Sequence, residues 1–446
     1  MTYVDKEIII RGGTIVTVDD DGTITTGDVA SRGGELVQIG GHYTPQTSDY
    51  DIIEADGCVV MPGLVQSHVH TCQTLARGRA DDLALLDWLK KVVWPYEGAL
   101  TADDMTAAAR LANVELLTGG TTAILDMGTV HHTDQVFEAA RDSGLRATIG
   151  KAMMDEDDPA IPPGLRETTA DSIDESQRLL ETWHGVQGGR LRYAFAPRFA
   201  LSCTDDLLRE VSTRARKAGV RIHTHASENR DEIAEVKRRK GVDNLVHLSN
   251  VGVIGDDVGL AHCVWLTDDE AGLLCETGTH LLHCPSSNLK LGSGFATIPE
   301  LLERGAAVSL GADGAPCNNN LDGFLEMRLA ALIHKPRAGA RAMRAAQVVR
   351  MATIGGARAL GLQDDIGSLE VGKRADVIVV ETGGAHVVPT RDPHSAIVYA
   401  CRSTDVRDVV VDGAVVVRDR QLLTLDRKQV VTEARAAADR IFDRIT

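Results

Sequence analysis

Along the middle of the chain, short apolar runs alternate with amphipathic stretches. Between Pro62 and Gly372 the runs "TTAILDM" (121–127), "VRIHTHAS" (220–227) and "VGLAHCVWL" (258–266) recur as a type. Stretches such as "HTDQVFEAARDSG", "TDDLLREVSTRARKAG" and "RDEIAEVKRRKG" stand between them, with apolar positions three and four apart. A continuous apolar run predicts a strand buried on both faces, and the three-to-four spacing predicts a helix packed by one stripe. Repetition of the pair predicts an α/β domain of parallel strands linked by helices.

The two ends have a different texture. "EIIIRGGTIVTVDDDGTIT" near the start and "GKRADVIVVE" and "RDVVVDGAVVVRDR" near the end are β-branched runs broken by Gly-Gly and Asp-Gly, which are hairpin signals. Edge strands gain most by pairing with one another. Residues 1–61 and 373–446 are therefore expected to form one small composite β-sandwich domain, with "KQVVTEARAAADRIFDRI" as an amphipathic closing helix.

For residues 62–372 the pattern allows an open doubly wound sheet or a closed (β/α)8 TIM barrel. The ends of the apolar runs separate the two. His68 and His70, Asp126, Arg198, His225, His262, His283 and Asp313 all close such runs. A barrel brings its strand C-termini to one mouth, whereas an open sheet would spread these polar residues along an edge. The barrel is expected, with "DEDDPAIPPGLRETTAD" (155–171) as a loop over one face.

Charge and composition narrow the function. A net charge of −17 argues against nucleic acid or anionic lipid as partner and favours a neutral or cationic small molecule. No apolar run approaches the roughly 20 residues of a membrane span. The start "MTYVDKEIIIRGG" lacks a basic segment before a cleavable apolar one, so no signal peptide is expected. Eight scattered cysteines without CxxC read as reduced residues of a cytoplasmic protein.

In "VMPGLVQSHVHTCQTLARG" two histidines stand one residue apart at a strand end. Period two sends both side chains to the same face. With a histidine from "HTHASEN" and Asp313 from "SLGAD", three imidazoles and a carboxylate suit a divalent borderline metal such as zinc. His223 and His225 share a face, so spacing does not choose between them. Glu228, three residues beyond His225, reaches the same mouth as a proton-carrying carboxylate. His262 in "LAHC" sits one strand further round, as a site residue or a satisfied core histidine.

Taken together, "PGLVQSHVHTCQTLARG", "HTHASEN", "LAHC", "HCPSSNLKLGSG" and "SLGADGAPCNNNLDGFLEMRLAAL" resemble the amidohydrolase superfamily. The similar branch includes deaminases of S-adenosylhomocysteine, methylthioadenosine and 5′-deoxyadenosine, guanine deaminase and the triazine hydrolases. The resemblance implies one divalent ion (zinc, with iron, nickel or manganese as alternatives) held by His68, His70, His225 and Asp313. It implies that Asp313 takes a proton from water, Glu228 protonates a ring nitrogen and His262 holds the developing oxygen. No lysine ends the fourth strand, so a mononuclear centre is expected.

For the substrate, "DWLKKVVWPYEG" resembles the family segment whose glutamate binds a hydroxyl or amine, here Glu97. The adenosine-type enzymes commonly carry a histidine where "APRFALSC" has Arg198. Arg198 and Gln73 resemble guanine deaminase instead, while "GAPCNNNLDGFLEMRLAALIHK" resembles the adenosine-type group. Trp94 and Phe199 offer flat faces for a heterocycle or fill the core. The reading is a deaminase of the 6-amino group of a 5′-modified adenosine. Guanine deamination, triazine hydrolysis and a non-catalytic metal-binding barrel are its rivals. The resemblance further implies a homo-oligomer, a dimer or tetramer.

Overall fold

The computed structural model describes residues 6–445. Residues 1–5 and 446, which belong to the expected composite domain, lie outside the described residues. Strands Leu64–His70, Thr121–Met127, Arg146–Gly150 and Leu191–Tyr193 pair in parallel in that order, with Asp313–Gly314 on the other side of Leu64–His70. A second parallel group runs Ile222–Ala226, Val258–His262, His280–His283 and Ala307–Leu310. Phe195 bridges Ile222, and Phe199 bridges His225, between the two groups. This is a TIM-barrel-type architecture with a separate domain.

The strands are buried along nearly their whole length, as continuous apolar runs demand. Helices follow them with clear signals. Asp205–Ala218 begins after Thr204, whose side chain accepts from the Leu207 amide, and ends at Gly219 in the left-handed conformation. Gly311 lets the last strand approach the first, since a Cβ there would lie 2.5 Å from the His68 carbonyl oxygen.

The separate domain is a nine-stranded sheet that draws on both ends of the chain. Cys58–Pro62 pairs antiparallel with Val377–Glu381 over five residues, which joins the N-terminal strands to the C-terminal ones. The C-terminal helix Arg427–Ile445 packs on helix Ala102–Thr118, where Arg440 and Arg444 meet the buried Asp104. Among the described residues no helix is long and apolar enough to cross a membrane.

Candidate metal centre

His68 and His70 leave their strand on one face, with ring centroids 4.9 Å apart. His225 comes in from Ile222–Ala226, His262 from the end of Val258–His262 and Asp313 from beyond Ala307–Leu310. In one set His68, His70 and His225, and in another His68, His262 and Asp313, offer ligand atoms that all lie within 4.8 Å of one another. Asp313 Oδ1 is 3.3 Å from His68 Nε2 and 3.4 Å from His70 Nε2.

The backbone is strained to make this convergence. Ser227, His262 and Asp313 hold φ of 51°, 75° and 62°, a region that costs a non-glycine residue about 1–3 kcal/mol.

Hydrogen bonds from behind orient the rings. Nδ1 of His70 donates to the Met127 carbonyl at 2.7 Å, and Nδ1 of His225 to the Arg198 carbonyl at 2.6 Å. With the proton on Nδ1, both Nε2 lone pairs face each other across 3.2 Å. Two lone pairs at that separation repel unless a proton or a cation lies between them. Burial, and then the neighbouring His68, drop His70 to about 3, and burial also holds His225 well below its ordinary value. A proton is therefore disfavoured, and a cation fits. His68 Nε2 is buried with no hydrogen-bond partner, beside Asp313. The donor set of imidazoles and one carboxylate suits a divalent ion.

His223 has a supporting place. Its Nε2 lies 2.7 Å from His68 Nδ1, so it orients His68 from behind while His225 faces the cluster.

Three further groups were not distinguished in the sequence. Ser287 Oγ donates to Asp313 Oδ2 at 2.7 Å, Asn288 Oδ1 accepts from His262 Nδ1 at 2.9 Å, and Ser293 Oγ donates to Glu228 Oε1 at 3.3 Å. All three lie in "HCPSSNLKLGSG", and that motif was the only signal for them.

Glu228 is buried, with Oε2 3.5 Å from His262 Nε2. Burial pushes its carboxyl up to about 7. Burial would raise Asp313 too, but His68, His262 and His70 overcome it and hold that carboxyl well below its ordinary range. Two carboxyls in one site are thus driven apart, one toward the acid and one toward the anion. Burial opposes protonation of His262, yet Glu228 and Asp313 beside it raise its pKa.

These groups line a cavity of about 30 Å³, together with Gln73, Arg198, Phe199, Leu85, Trp88 and Leu89. Gln73 Oε1 is buried without a partner. Glu97 lies behind that wall. Its carboxylate takes Gln73 Nε2 at 2.8 Å and the Arg198 guanidinium at 2.5 and 3.1 Å. Trp94, expected against the substrate, does not line this cavity; Trp88 does. The physical reason is the π-helical turn Leu89–Val93 between them, whose wider turn re-aims the residues that follow.

The sequence matches the amidohydrolase family model over residues 59–416. It is 39% identical over 441 residues to a 5′-deoxyadenosine deaminase of Methanosarcina mazei, covering 98% of this chain and 99% of that one. It is 40% identical over 440 residues to a 5-methylthioadenosine/S-adenosylhomocysteine deaminase of Syntrophobacter fumaroxidans, covering 97% and 98%. The fold is similar to the crystal structure of an adenosine deaminase from Xanthomonas campestris with bound zinc, at TM-score 0.91 and 31% identity over 98% of this chain and 99% of that one. With a family match over most of its length and near-complete coverage of these relatives, the chain belongs to the amidohydrolase family.

Proposed function

We propose that this chain is a metal-dependent aminohydrolase that removes the 6-amino group of a 5′-modified adenosine (5′-deoxyadenosine, methylthioadenosine or S-adenosylhomocysteine) as ammonia. The observation that carries the reading is the pairing of a cation-fitting cluster with a buried carboxyl, Glu228, raised to about 7. In this reading His68, His70, His225 and Asp313 hold one zinc ion. When bound, zinc supplies Lewis acidity and lowers the pKa of water from 15.7 toward roughly 7.

Glu228 donates its proton to the ring nitrogen beside the amino-bearing carbon and makes that carbon electrophilic. Its pKa near neutrality suits a group that gives and regains a proton in each turnover. Asp313, kept ionised, takes the proton of the attacking water and passes it to the amino group, so that the carbon–nitrogen bond breaks and ammonia leaves. The new hydroxyl returns a proton to Glu228 as it becomes the carbonyl, and Ser287 holds the other Asp313 oxygen in place. His262, fixed by Asn288, steadies the oxygen as the carbon becomes tetrahedral. Gln73 offers its unpartnered Oε1 to a substrate N–H or O–H, and Arg198 offers donors to the acceptor edge of the base.

The same reading closes the two strand groups into a (β/α)8 barrel over residues 62–372, with residues 1–61 and 373–446 as the composite domain. Eight free cysteines suit a cytoplasmic location.

Guanine is the second reading, favoured by Arg198 and Gln73 on the cavity wall. Ammonia release from the zinc-loaded protein is to be measured on adenosine, the three 5′-modified adenosines, guanine and chlorotriazines. Turnover of the 5′-modified adenosines supports the first reading. Turnover of guanine with the adenosines inert replaces it, and bound metal without ammonia from any of them points to a non-catalytic barrel.

A further inference from the structure

The cavity at the cluster is small for the substrate proposed above. About 30 Å³ falls well short of the 300 Å³ or more of a typical small-molecule site. Leu85, Trp88, Leu89 and Phe199 are among its apolar walls. A second cavity of about 460 Å³ begins on the other side of Phe199, which lines both.

The second cavity has a two-part lining. Its apolar part is Trp94, Phe199, Ile161 and Leu201, all buried, and the Trp94 indole N–H is buried without a hydrogen-bond partner. Leu86 and Ala234 also line it, and the remaining residues are charged. Arg238 and Arg239 are already committed to Glu235, and Arg239 also reaches Asp158. Lys90 and Asp231 also line it and hold no ion pair among the described residues. One free cation and one free anion over an apolar floor match an apolar chain that ends in a carboxylate and an ammonium.

We propose that this second cavity takes the 5′ substituent of the nucleoside, and that Phe199 is the partition that sets how long a substituent is accepted. The preferred long occupant is a thioether chain ending in an amino-acid group. Lys90 meets its carboxylate, Asp231 its ammonium, and Trp94 lies along the apolar part. The proposal rests on the adenosine reading above. It assigns to Trp94 and Phe199 the substituent rather than the base.

The test compares kcat/KM for 5′-deoxyadenosine, methylthioadenosine and S-adenosylhomocysteine, with zinc content measured for every protein. Phe199→Ala is expected to raise the ratio of S-adenosylhomocysteine to 5′-deoxyadenosine by about tenfold, the scale on which apolar pockets discriminate by size. Lys90→Glu, at an exposed position that does not threaten folding, is expected to lower the ratio of S-adenosylhomocysteine to methylthioadenosine by about threefold or more. Should Phe199→Ala fail to fold, Phe199→Leu keeps most of the packing and is expected to shift the first ratio in the same direction. Ratios within twofold of wild type for the folded Phe199 variant and for Lys90→Glu overturn the subsite while leaving the deaminase reading intact. A wild-type protein inert toward all three nucleosides overturns both.

Discussion

Two buried polar clusters in this molecule look alike in composition and differ in completeness. At the contact between the barrel-type domain and the terminal sheet, Arg146 donates to Asp376 at 2.8 and 2.9 Å and to Asp412 at 3.0 Å, and Arg374 reaches Asp412 at 2.7 Å. The Asp412 amide donates to Asp376 as well. Every charge there is answered by its own chain. At the barrel mouth, by contrast, His68 Nε2 and Gln73 Oε1 are buried without partners, and two imidazole lone pairs face each other. Burying polar atoms unpaired costs about 1–3 kcal/mol each, so a fold retains them where something else completes them. Between these two clusters, completeness draws a distinction that burial and charge do not.

The largest expected effect tests the incomplete cluster. Glu228→Gln keeps the shape and removes the proton, so kcat for the preferred nucleoside should fall by about 10²–10⁴-fold. Metal content, measured by atomic absorption, should stay at the wild-type value because Glu228 belongs to neither ligand set. Full activity in that variant would remove Glu228 from the chemistry.

The complete cluster should answer in the other currency, stability. Arg146→Met leaves Asp376 buried without its partner, and breaking such a pair costs about 3–5 kcal/mol. Denaturant midpoints should show that loss while kcat per folded, metal-loaded molecule is unchanged. A normal midpoint would mean that water or Arg374 replaces the guanidinium, and that the cluster is less closed than its distances suggest.

Much of this contrast was legible in the chain itself. The apolar runs gave the strands, and a polar residue at the end of each pointed to one mouth. Period two alone put His68 and His70 on one face. His223 and His225 satisfy the same rule equally; the resemblance to the family favoured His225, and the structure sets His223 against His68 Nδ1. Trp94 was singled out for its aromatic face, and no local pattern showed the π-turn that stands between it and Trp88. Glu97 was found as a motif residue, but its engagement by Arg198 is a contact across 101 positions that no local pattern encodes. The closing helix advertised an apolar stripe, and the helix it packs against had to be seen.

Asp126 lies between the two clusters in character, and its expected effect is the smallest. It ends the strand Thr121–Met127, as the sequence indicated, but its Oδ1 accepts from the Thr71 amide at 2.7 Å while Oδ2 is buried without a partner. Burial pushes its carboxyl up to about 7 from an ordinary 3.8. A raised carboxyl is protonated in the folded state over a range where the unfolded chain is ionised. The folded state then binds the extra proton, so this residue's contribution falls as pH rises from about 4 to about 7. Asp126→Asn keeps an acceptor for Thr71 and removes the titration. At fixed metal loading the variant should be more stable than wild type by about 1–3 kcal/mol at pH 8, by less at pH 5, and by nothing below pH 3. Unfolding midpoints at those pH values decide it. A pH-independent difference would mean that Asp126 is ionised in the fold and that its second oxygen is answered by water, which would move it into the company of the completed cluster.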